Sequence, residues 1–322
     1  MQAEDARWMA ATAALAERAR PLASPNPGVA ALIVRDGAVI ARGWTMPGGR
    51  PHAEAMALEQ AGDAAGGATL YVSLEPCAHR SQRGPACADL VAEARLARAV
   101  IGMRDPDPRT AGEGIARLEH AGIEVSLLEW DARRLGLSGH VSATRQNRPH
   151  VTLKLAMSLD GCIATSSGES QWITGEAARA HTHRERARAD AILVGGGTLR
   201  ADNPRLNVRL PGLADRSPRR IALTSGEVPE GWHAIAAPEH IATLDSVRYL
   251  MVEGGAQTAS AFLAAGLVDR LLIYRAPVLL GGGTPAVGHI GHDTLDKAFA
   301  LGLVLTKRRQ LGSDTLEIYE RG

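Results

Sequence analysis

Pro51-His52-Ala53-Glu54, then Leu74-Glu75-Pro76-Cys77-Ala78-His79, then a second cysteine at Cys87 decide how the first half of this chain reads. A His-x-Glu followed by Pro-Cys and a further Cys is the pattern of zinc-dependent base deamination. The residue types follow from the chemistry. One imidazole (His52) and two thiolates (Cys77, Cys87) hold Zn²⁺ and leave its fourth position open. Water in that position ionises near neutral pH. Glu54 is not a ligand in this pattern; it carries protons from the water to the base and to the departing ammonia. The spacing adds a structural condition. Positions i and i+2 of a helix face different ways, so His52 and Glu54 converge only where a loop turns into a helix, and Pro51 suits such a start. Cys87 precedes Ala88-Asp89-Leu90-Val91-Ala92-Glu93, a predicted helix whose N-terminal dipole favours a thiolate. His79 would be a fourth ligand in a closed structural site; here it is assigned to the pocket wall.

Working outward, the pattern predicts a helix over 5–20, strands over 29–34 and 38–44 joined by an Asp36-Gly37 hairpin turn, and a helix over 52–60. A strand over 69–73 delivers Glu75-Pro76-Cys77. A helix follows over 87–95, then strand 99–103, helix 114–121, strand 124–128 and helix 131–143. This order describes an α/β domain of three layers. Gln146-Asn147-Arg148-Pro149 breaks it, so the expected domains are 1–145 and 149–322.

The second domain begins with a strand over 150–157 and continues with strands over 191–194, 220–224, 247–252 and 270–276 alternating with helices, again α/β with a mainly parallel sheet. Three glycine clusters stand out: Gly195-Gly196-Gly197-Thr198, Gly254-Gly255 and Gly281-Gly282-Gly283-Thr284. Such clusters serve either as tight turns or as phosphate cradles at helix starts. No G-x-G-x-x-G fingerprint is present. Lys154 interrupts an apolar strand, which is costly unless the charge is paired, functional or able to reach water along its stem. Arg186, Asp202, Arg205 and Arg209 form either a solvated surface or a set able to meet a phosphorylated sugar.

Bulk properties exclude several classes. The chain has 322 residues with Lys+Arg 36 against Asp+Glu 35 and a net charge of +1, which gives no general pull toward nucleic acid or an anionic membrane. Aromatic residues are 3% of the chain, too few for base-stacking platforms. Three cysteines argue for a reducing compartment rather than a disulfide framework. Of these, Cys162 reads as a small buried residue. The early acidic residues and the lack of a long apolar run give neither a signal peptide nor a membrane span. The expectation is a cytoplasmic protein without nucleic-acid or membrane partners.

Together these motifs resemble the bifunctional riboflavin-biosynthesis deaminase/reductase family over nearly the whole chain. In the first half the resemblance rests on Pro25-Asn26-Pro27-Gly28-Val29, the His52 and Cys77 motifs and Asp105-Pro106. In the second it rests on Lys154-Leu155-Ala156-Met157-Ser158-Leu159-Asp160-Gly161, Gln171-Trp172-Ile173-Thr174-Gly175, Asp190-Ala191-Ile192-Leu193-Val194-Gly195, Asp202-Asn203-Pro204-Arg205-Leu206 and Val252-Glu253-Gly254-Gly255. It implies a cytidine-deaminase-like fold followed by a dihydrofolate-reductase-like fold. It further implies zinc-dependent deamination of 2,5-diamino-6-(5-phosphoribosylamino)pyrimidin-4(3H)-one, then NADPH-dependent reduction of the ribosyl group to ribityl. By position, Glu54 and Lys154 would be catalytic. Ala156, Trp172, Thr198, Asp202 and Gly255 would line NADPH. Asn26, His79, Ser170, Arg186, Leu206, Arg209 and Glu253 would contact substrate. A glycine- and apolar-rich second domain able to pair with itself gives a homodimer or homotetramer. The chain departs from the family between its two cysteines, an interval of 87 − 77 = 10, where Arg83 replaces a usual basic residue in an uncertain register. It also departs at Thr45, often histidine, and at Asp107, often asparagine. The alternative is a zinc deaminase of another base or nucleotide with a non-catalytic nucleotide-binding or dimerisation domain.

Overall fold

The computed structural model describes residues 2–79, 84–291 and 293–322, so Arg83 lies outside the described residues. The chain divides into two compact units, Met1–Asn147 and Arg148–Gly322.

The first unit runs α1 (Gln2–Ala23), β1 (Ala30–Arg35), β2 (Ala38–Trp44), α2 (Ala53–Ala61), β3 (Thr69–Val72), α3 (Cys87–Glu93), β4 (Arg98–Ile101), α4 (Glu113–His120), β5 (Glu124–Leu127) and α5 (Ser138–Gln146). Asp36 and Gly37 both take positive φ, 52° and 71°, the backbone a two-residue hairpin of matching twist requires. Among the described residues the strands pair in the order β2-β1-β3-β4-β5. β1 is antiparallel to β2 and β3, whereas β3, β4 and β5 are parallel. Ala30–Val34 is buried without alternation, as a strand covered on both faces must be. The core includes Ile33, Leu70, Ile101, Leu118, Leu135 and Leu137, all fully buried, each contributing roughly 1.5–3 kcal/mol by burial. Arg98 donates to both carboxylate oxygens of Asp5 at 2.8 and 2.9 Å, and the Tyr71 hydroxyl donates to the same group at 3.0 Å. This ties α1 to the central strands β3 and β4.

The last helix departs from the sequence expectation. Residues 132–136 form turns, and α5 starts at Ser138 rather than Asp131. Gly136, at φ 73°, supplies a backbone no continuing helix can hold.

The second unit runs β6 (His150–Met157), β7 (Cys162–Ala164), α6 (Glu176–Arg186), β8 (Ala191–Gly195), α7 (Gly196–Asp202), β9 (Arg219–Leu223), β10 (Trp232–Ile235), β11 (Tyr249–Val252), α8 (Ala256–Ala264), β12 (Arg270–Arg275), β13 (Thr284–Pro285), α9 (Leu295–Phe299), β14 (Leu303–Leu311) and β15 (Asp314–Arg321). Its large sheet has the order β10-β9-β8-β11-β6-β12-β15-β14. It is parallel from β10 through β12, and the β14–β15 hairpin adds an antiparallel edge. β6 alternates, with Val151, Leu153, Leu155 and Met157 buried and Thr152, Lys154 and Ala156 half-buried on the other face. In open sheets of this kind, ligands bind beyond the carboxyl ends of the parallel strands. Those ends are where Gly195, Glu253 and Gly254 fall.

Candidate active sites

His52 is the N-cap of α2 with extended backbone, φ −73° and ψ 164°, and Glu54 lies in the first helical turn. The helix therefore begins between the two residues, and both side chains turn to one point. Gly43 makes this possible: a Cβ there would lie 2.0 Å from the Ala53 carbonyl oxygen. Only glycine lets the start of α2 lie directly on β2. Cys77 follows β3 on its loop, and Cys87 is the first residue of α3. The Cys87 amide donates to Cys77 Sγ at 3.3 Å.

His52 Nδ1 lies 3.2 Å from Cys87 Sγ and 3.6 Å from Cys77 Sγ. Among the described residues these three form a group whose ligand atoms all lie within 4.8 Å of one another. Two sulfurs and a nitrogen on a tetrahedral zinc ion sit about 3.6 Å apart given ordinary Zn–S and Zn–N lengths, so the donor set and its spacing fit zinc. The Cys77 thiol is drawn down to about 4, first by its hydrogen bond with Cys87 and further by His52. Cys87 is pushed up by that same hydrogen bond and by burial. His79 is not part of the group; its Nδ1 hydrogen-bonds Thr110 at 3.4 Å.

Glu54 is 3% exposed. Burial raises its carboxyl to about 7 against the opposing charge of His52, a value suited to taking and returning a proton near neutrality. Glu75, adjacent to Pro76-Cys77, was not singled out from sequence. It accepts hydrogen bonds from the amides of Asp105 (3.2 Å), Gly112 (3.1 Å) and Ile115 (3.1 Å), and so holds the loop that carries Thr110. His140 of α5 meets Asp105 of the same loop at 2.9 Å. Asn26 packs against Gly49 and donates to the Ala23 carbonyl at 3.3 Å. Of the departures, Thr45 is buried and accepts from the Val29 amide at 3.1 Å. Asp107 is paired with Arg109.

In the second unit the register sets the site. Val252 pairs with Leu153, so the next residue on each strand, Glu253 and Lys154, come side by side, with Lys154 Nζ 3.9 Å from Glu253 Oε2. From α6, Arg186 donates to both oxygens of Glu253, Nε at 2.6 Å and Nη2 at 2.8 Å. Burial lowers Lys154, an effect Glu253 partly offsets. Burial would raise Glu253, but Arg186 and then Lys154 outweigh it and hold the carboxyl low.

Beside this trio, β8 ends at Gly195 and leads into α7, and β11 is followed by Gly254-Gly255 and α8. Cβ atoms on Gly195 and Gly254 would lie 2.3 and 2.4 Å from Thr258. Thr258 is thus wedged between the two strand ends, and the first turn of α8 is brought onto them. Thr198 comes to 4.0 Å of where a Gly255 Cβ would lie. Amides at such a helix start suit phosphate, so these residues fit a pyrophosphate-bearing dinucleotide. The Gly281-Gly282-Gly283 cluster differs: Gly281 and Gly282 have positive φ, and the amides of Leu280 and Gly281 bind Asp160. It is a turn.

The other positions scatter. Ala156 is on β6 two residues beyond Lys154. Ser170, Trp172 and Asp202 are exposed, Trp172 at 64% with Arg179 over its ring. Arg209 is exposed and bonded to His183. Leu206 is buried in an apolar cluster with Ile192, Val194 and Met251, so its side chain serves packing and only its backbone remains for a ligand.

The comparisons agree with both halves. Residues 2–103 match the cytidine and deoxycytidylate deaminase zinc-binding region, and residues 149–244 and 235–316 match the RibD C-terminal domain. The riboflavin biosynthesis protein RibD of Escherichia coli is 39% identical over 86% of this chain and 89% of its own length. That of Aquifex aeolicus is 34% identical over 98% of each. This chain belongs to the RibD family. It is accordingly a riboflavin-biosynthesis enzyme with a deaminase and a reductase domain. Among solved structures, Acinetobacter baumannii RibD superposes with a TM-score of 0.88 at 34% identity over 100% of both chains. The Thermotoga maritima diaminohydroxyphosphoribosylaminopyrimidine deaminase/5-amino-6-(5-phosphoribosylamino)uracil reductase gives 0.86 at 28% identity over 99% of both.

Proposed function

We propose that this chain performs, in order, the two reactions for which the Thermotoga relative is titled. The first removes the 2-amino group of the phosphoribosylated diaminopyrimidine; the second reduces the ribosyl chain of the product to ribityl. The observation that carries the reading is that one chain holds both the His52–Cys77–Cys87 group beside Glu54 and the Lys154–Glu253–Arg186 group beside a glycine-headed helix.

In the first site His52, Cys77 and Cys87 would hold zinc. When bound, zinc supplies a Lewis acid that makes water a competent nucleophile near neutral pH. Glu54 would accept one proton of that water and pass it to the ring nitrogen, then accept the proton of the added hydroxyl and pass it to the amino group, which leaves as ammonia. Its burial beside the thiols keeps competing water away. Asn26 and His79 form the pyrimidine wall, and Glu75 keeps the Asp105–Ile115 loop in place.

In the second site Ala156, Trp172, Thr198, Asp202 and the segment from Gly255 would hold NADPH, which when bound supplies a hydride to C1′ of the opened sugar. Lys154 gives a proton to the ring oxygen as the C1′–oxygen bond breaks and the sugar opens, which leaves C1′ doubly bonded to the protonated amine nitrogen and ready to take the hydride. Glu253 keeps the ammonium charged until then, and Arg186 keeps Glu253 ionised and aimed. Ser170, Leu206 and Arg209 bound the phosphoribosyl chain.

Three free cysteines and the need for NADPH suit a reducing, cytoplasmic setting. No helix of the described residues is long and apolar enough to cross a membrane. Exposed Leu295, Phe299, Val304 and Leu305 on α9 and β14 support self-association into a homodimer or homotetramer. The test is a two-signal assay on zinc-loaded protein given the diaminopyrimidine ribonucleotide. Ammonia release without NADPH, then NADPH oxidation on its addition, is expected. Ammonia alone would make the second unit a binding module. Neither signal with one zinc bound would point to another deaminase substrate.

A further inference from the structure

Behind Lys154, on the face of the sheet that α6 covers, lies a buried polar group that the two reactions do not use. In the β6–β12 register Lys154 pairs with Leu272 and Ala156 with Tyr274, so Tyr274 stands one pleat further along the same face as Lys154. Tyr274 is fully buried. Its ring centroid is 5.9 Å from Lys154 Nζ, within cation–π range. Its hydroxyl and His181 Nδ1 share a hydrogen bond of 2.8 Å, and the two rings tilt at 59° with centroids 5.7 Å apart. His181 is itself buried, and its Nε2 faces Glu185 at 4.0 Å. That carboxylate favours the tautomer with hydrogen on Nε2, leaving Nδ1 to accept from the Tyr274 hydroxyl. Glu185 is fixed in turn by Arg270 at 2.7 Å.

We propose that Tyr274, anchored by His181, is a positioning residue for reduction: its ring face fixes where the Lys154 ammonium sits opposite Glu253. A lysine stem has several rotatable bonds and carries large rotamer entropy. Glu253 alone, at 3.9 Å, constrains the ammonium from one side only. The ring closes the other side without supplying a proton acceptor that would compete with the sugar oxygen. The charged groups facing the cluster are Arg186, Glu185 and Arg184 of α6, Glu253 after β11, Arg270 of β12 and Arg309 of β14. Arg186 is held by Glu253, and Glu185 by Arg270. Glu185 therefore does not draw the Lys154 ammonium away from Glu253.

The inference rests on Lys154 being the proton donor, so Lys154→Met is measured alongside. Tyr274→Leu removes the ring; Tyr274→Phe keeps it and loses only the hydroxyl. In Tyr274→Leu, kcat for reduction should fall on the order of tenfold with the KM for NADPH unchanged. The alkaline limb of kcat, where Lys154 loses its proton, should move about half a unit lower. Tyr274→Phe should restore the limb and most of kcat. His181→Asn, which removes the imidazole and leaves the Tyr274 ring itself unchanged, should lower kcat about as much as Tyr274→Phe, and the double variant should show no further loss. A wild-type limb and kcat in Tyr274→Leu, or additive losses in the double variant, would overturn the positioning role while leaving Lys154 in place. Reduction at the wild-type rate by Lys154→Met would instead sink the assignment of Lys154 itself. Ammonia release from the first unit checks that each variant was prepared intact.

Discussion

Arg186 grips Glu253 through both carboxylate oxygens, at 2.6 and 2.8 Å, across 67 positions of sequence. The pair forms because β8 and β11 are adjacent and parallel while α6 crosses behind them. Its consequence is that Lys154, in a half-buried position that disfavours charge, faces a carboxylate that stays ionised. Glu253→Gln should therefore lower the Lys154 pKa further, since the charge favouring the ammonium is gone. The alkaline limb of reduction is expected to move to lower pH, and kcat to fall, with deamination unaffected. Lys154→Ala should abolish reduction and leave ammonia release intact. A pH–rate profile for each activity on the same preparation reads both outcomes, and an unmoved limb in Glu253→Gln would contradict the pairing.

Glu54→Gln keeps the shape of the first site and all three sulfur and nitrogen donors. It removes only the carboxylate proposed to move protons. Zinc content should stay at the wild-type level while deamination drops by about 10²–10⁴-fold, and the reductase assay with the deaminated substrate should be unchanged. Deamination that survives the change would reassign the proton carrier.

Removal of metal should separate the two halves in the same way. A chelator, or Cys77→Ser, is expected to abolish ammonia release and leave NADPH oxidation on the deaminated substrate near its starting rate. Each unit has its own apolar core, one around Ile33, Leu70 and Ile101, the other around Leu153, Val252 and Phe262. Loss of both activities on chelation would mean that the units do not stand independently.

Acid should weaken the second unit through α6. Glu185 is held down to about 2: burial alone would raise it, but the Arg270 charge and hydrogen bond outweigh that. Burial also lowers His181, to about 4. Both folded values lie below those of the unfolded chain, so the stability they contribute is present above the unfolded values and is lost as pH falls. The His181 share disappears between about 6.5 and 4, and the Glu185 share between about 4.5 and 2. The thermal midpoint of the second unit should fall through both windows. Glu185→Gln should remove the lower window and cost about 3 kcal/mol at neutral pH, because Arg270 loses its close partner.

Much of this is legible in the sequence, for physical reasons specific to particular residues. The His52/Glu54 spacing forced a helix start between them, and Asp36-Gly37 forced a hairpin. The alternation of Val151 to Met157 marked Lys154 as an intruder on a sheet face. What was not legible depended on partners distant in sequence. Nothing local to Glu75 says that three amides from 105–115 will converge on it, nor does His181 announce Tyr274, 93 positions away. The β14–β15 hairpin carries no sequence signal, because β14 is largely exposed and has Lys307-Arg308-Arg309 where an apolar alternation would mark a strand. The late start of α5 is not visible in the sequence, because Ala132-Arg133-Arg134-Leu135 reads as a helix and only the backbone shows Gly136 in the left-handed region.

The position of α2 on β2 gives the sharpest test of how fold makes the first site. A Cβ on residue 43 would meet the Ala53 carbonyl oxygen at 2.0 Å and the Ala57 amide nitrogen at 2.7 Å. Both are backbone atoms of α2, so no side-chain rotation can relieve the contact. Gly43→Ala must push the helix away from the sheet, and Ala53 and Ala57, both fully buried, would lose their packing. Overpacking of this kind costs about 1–3 kcal/mol. The functional cost should be larger, because His52 caps the displaced end and Glu54 lies in its first turn. A shift of about 1 Å in such a group is enough to lower a rate by about 10²-fold. Gly43→Ala is therefore expected to weaken zinc retention and to reduce deamination far more than its loss of thermal stability would suggest, with reduction unaffected. Gly37→Ala, at a hairpin position with nothing within 4 Å but with φ 71°, supplies the control. It should cost stability through backbone strain and leave zinc content and deamination per folded molecule as they were. Equal behaviour of the two variants would mean that the close approach of α2 to β2 does not set the geometry of the metal-binding end.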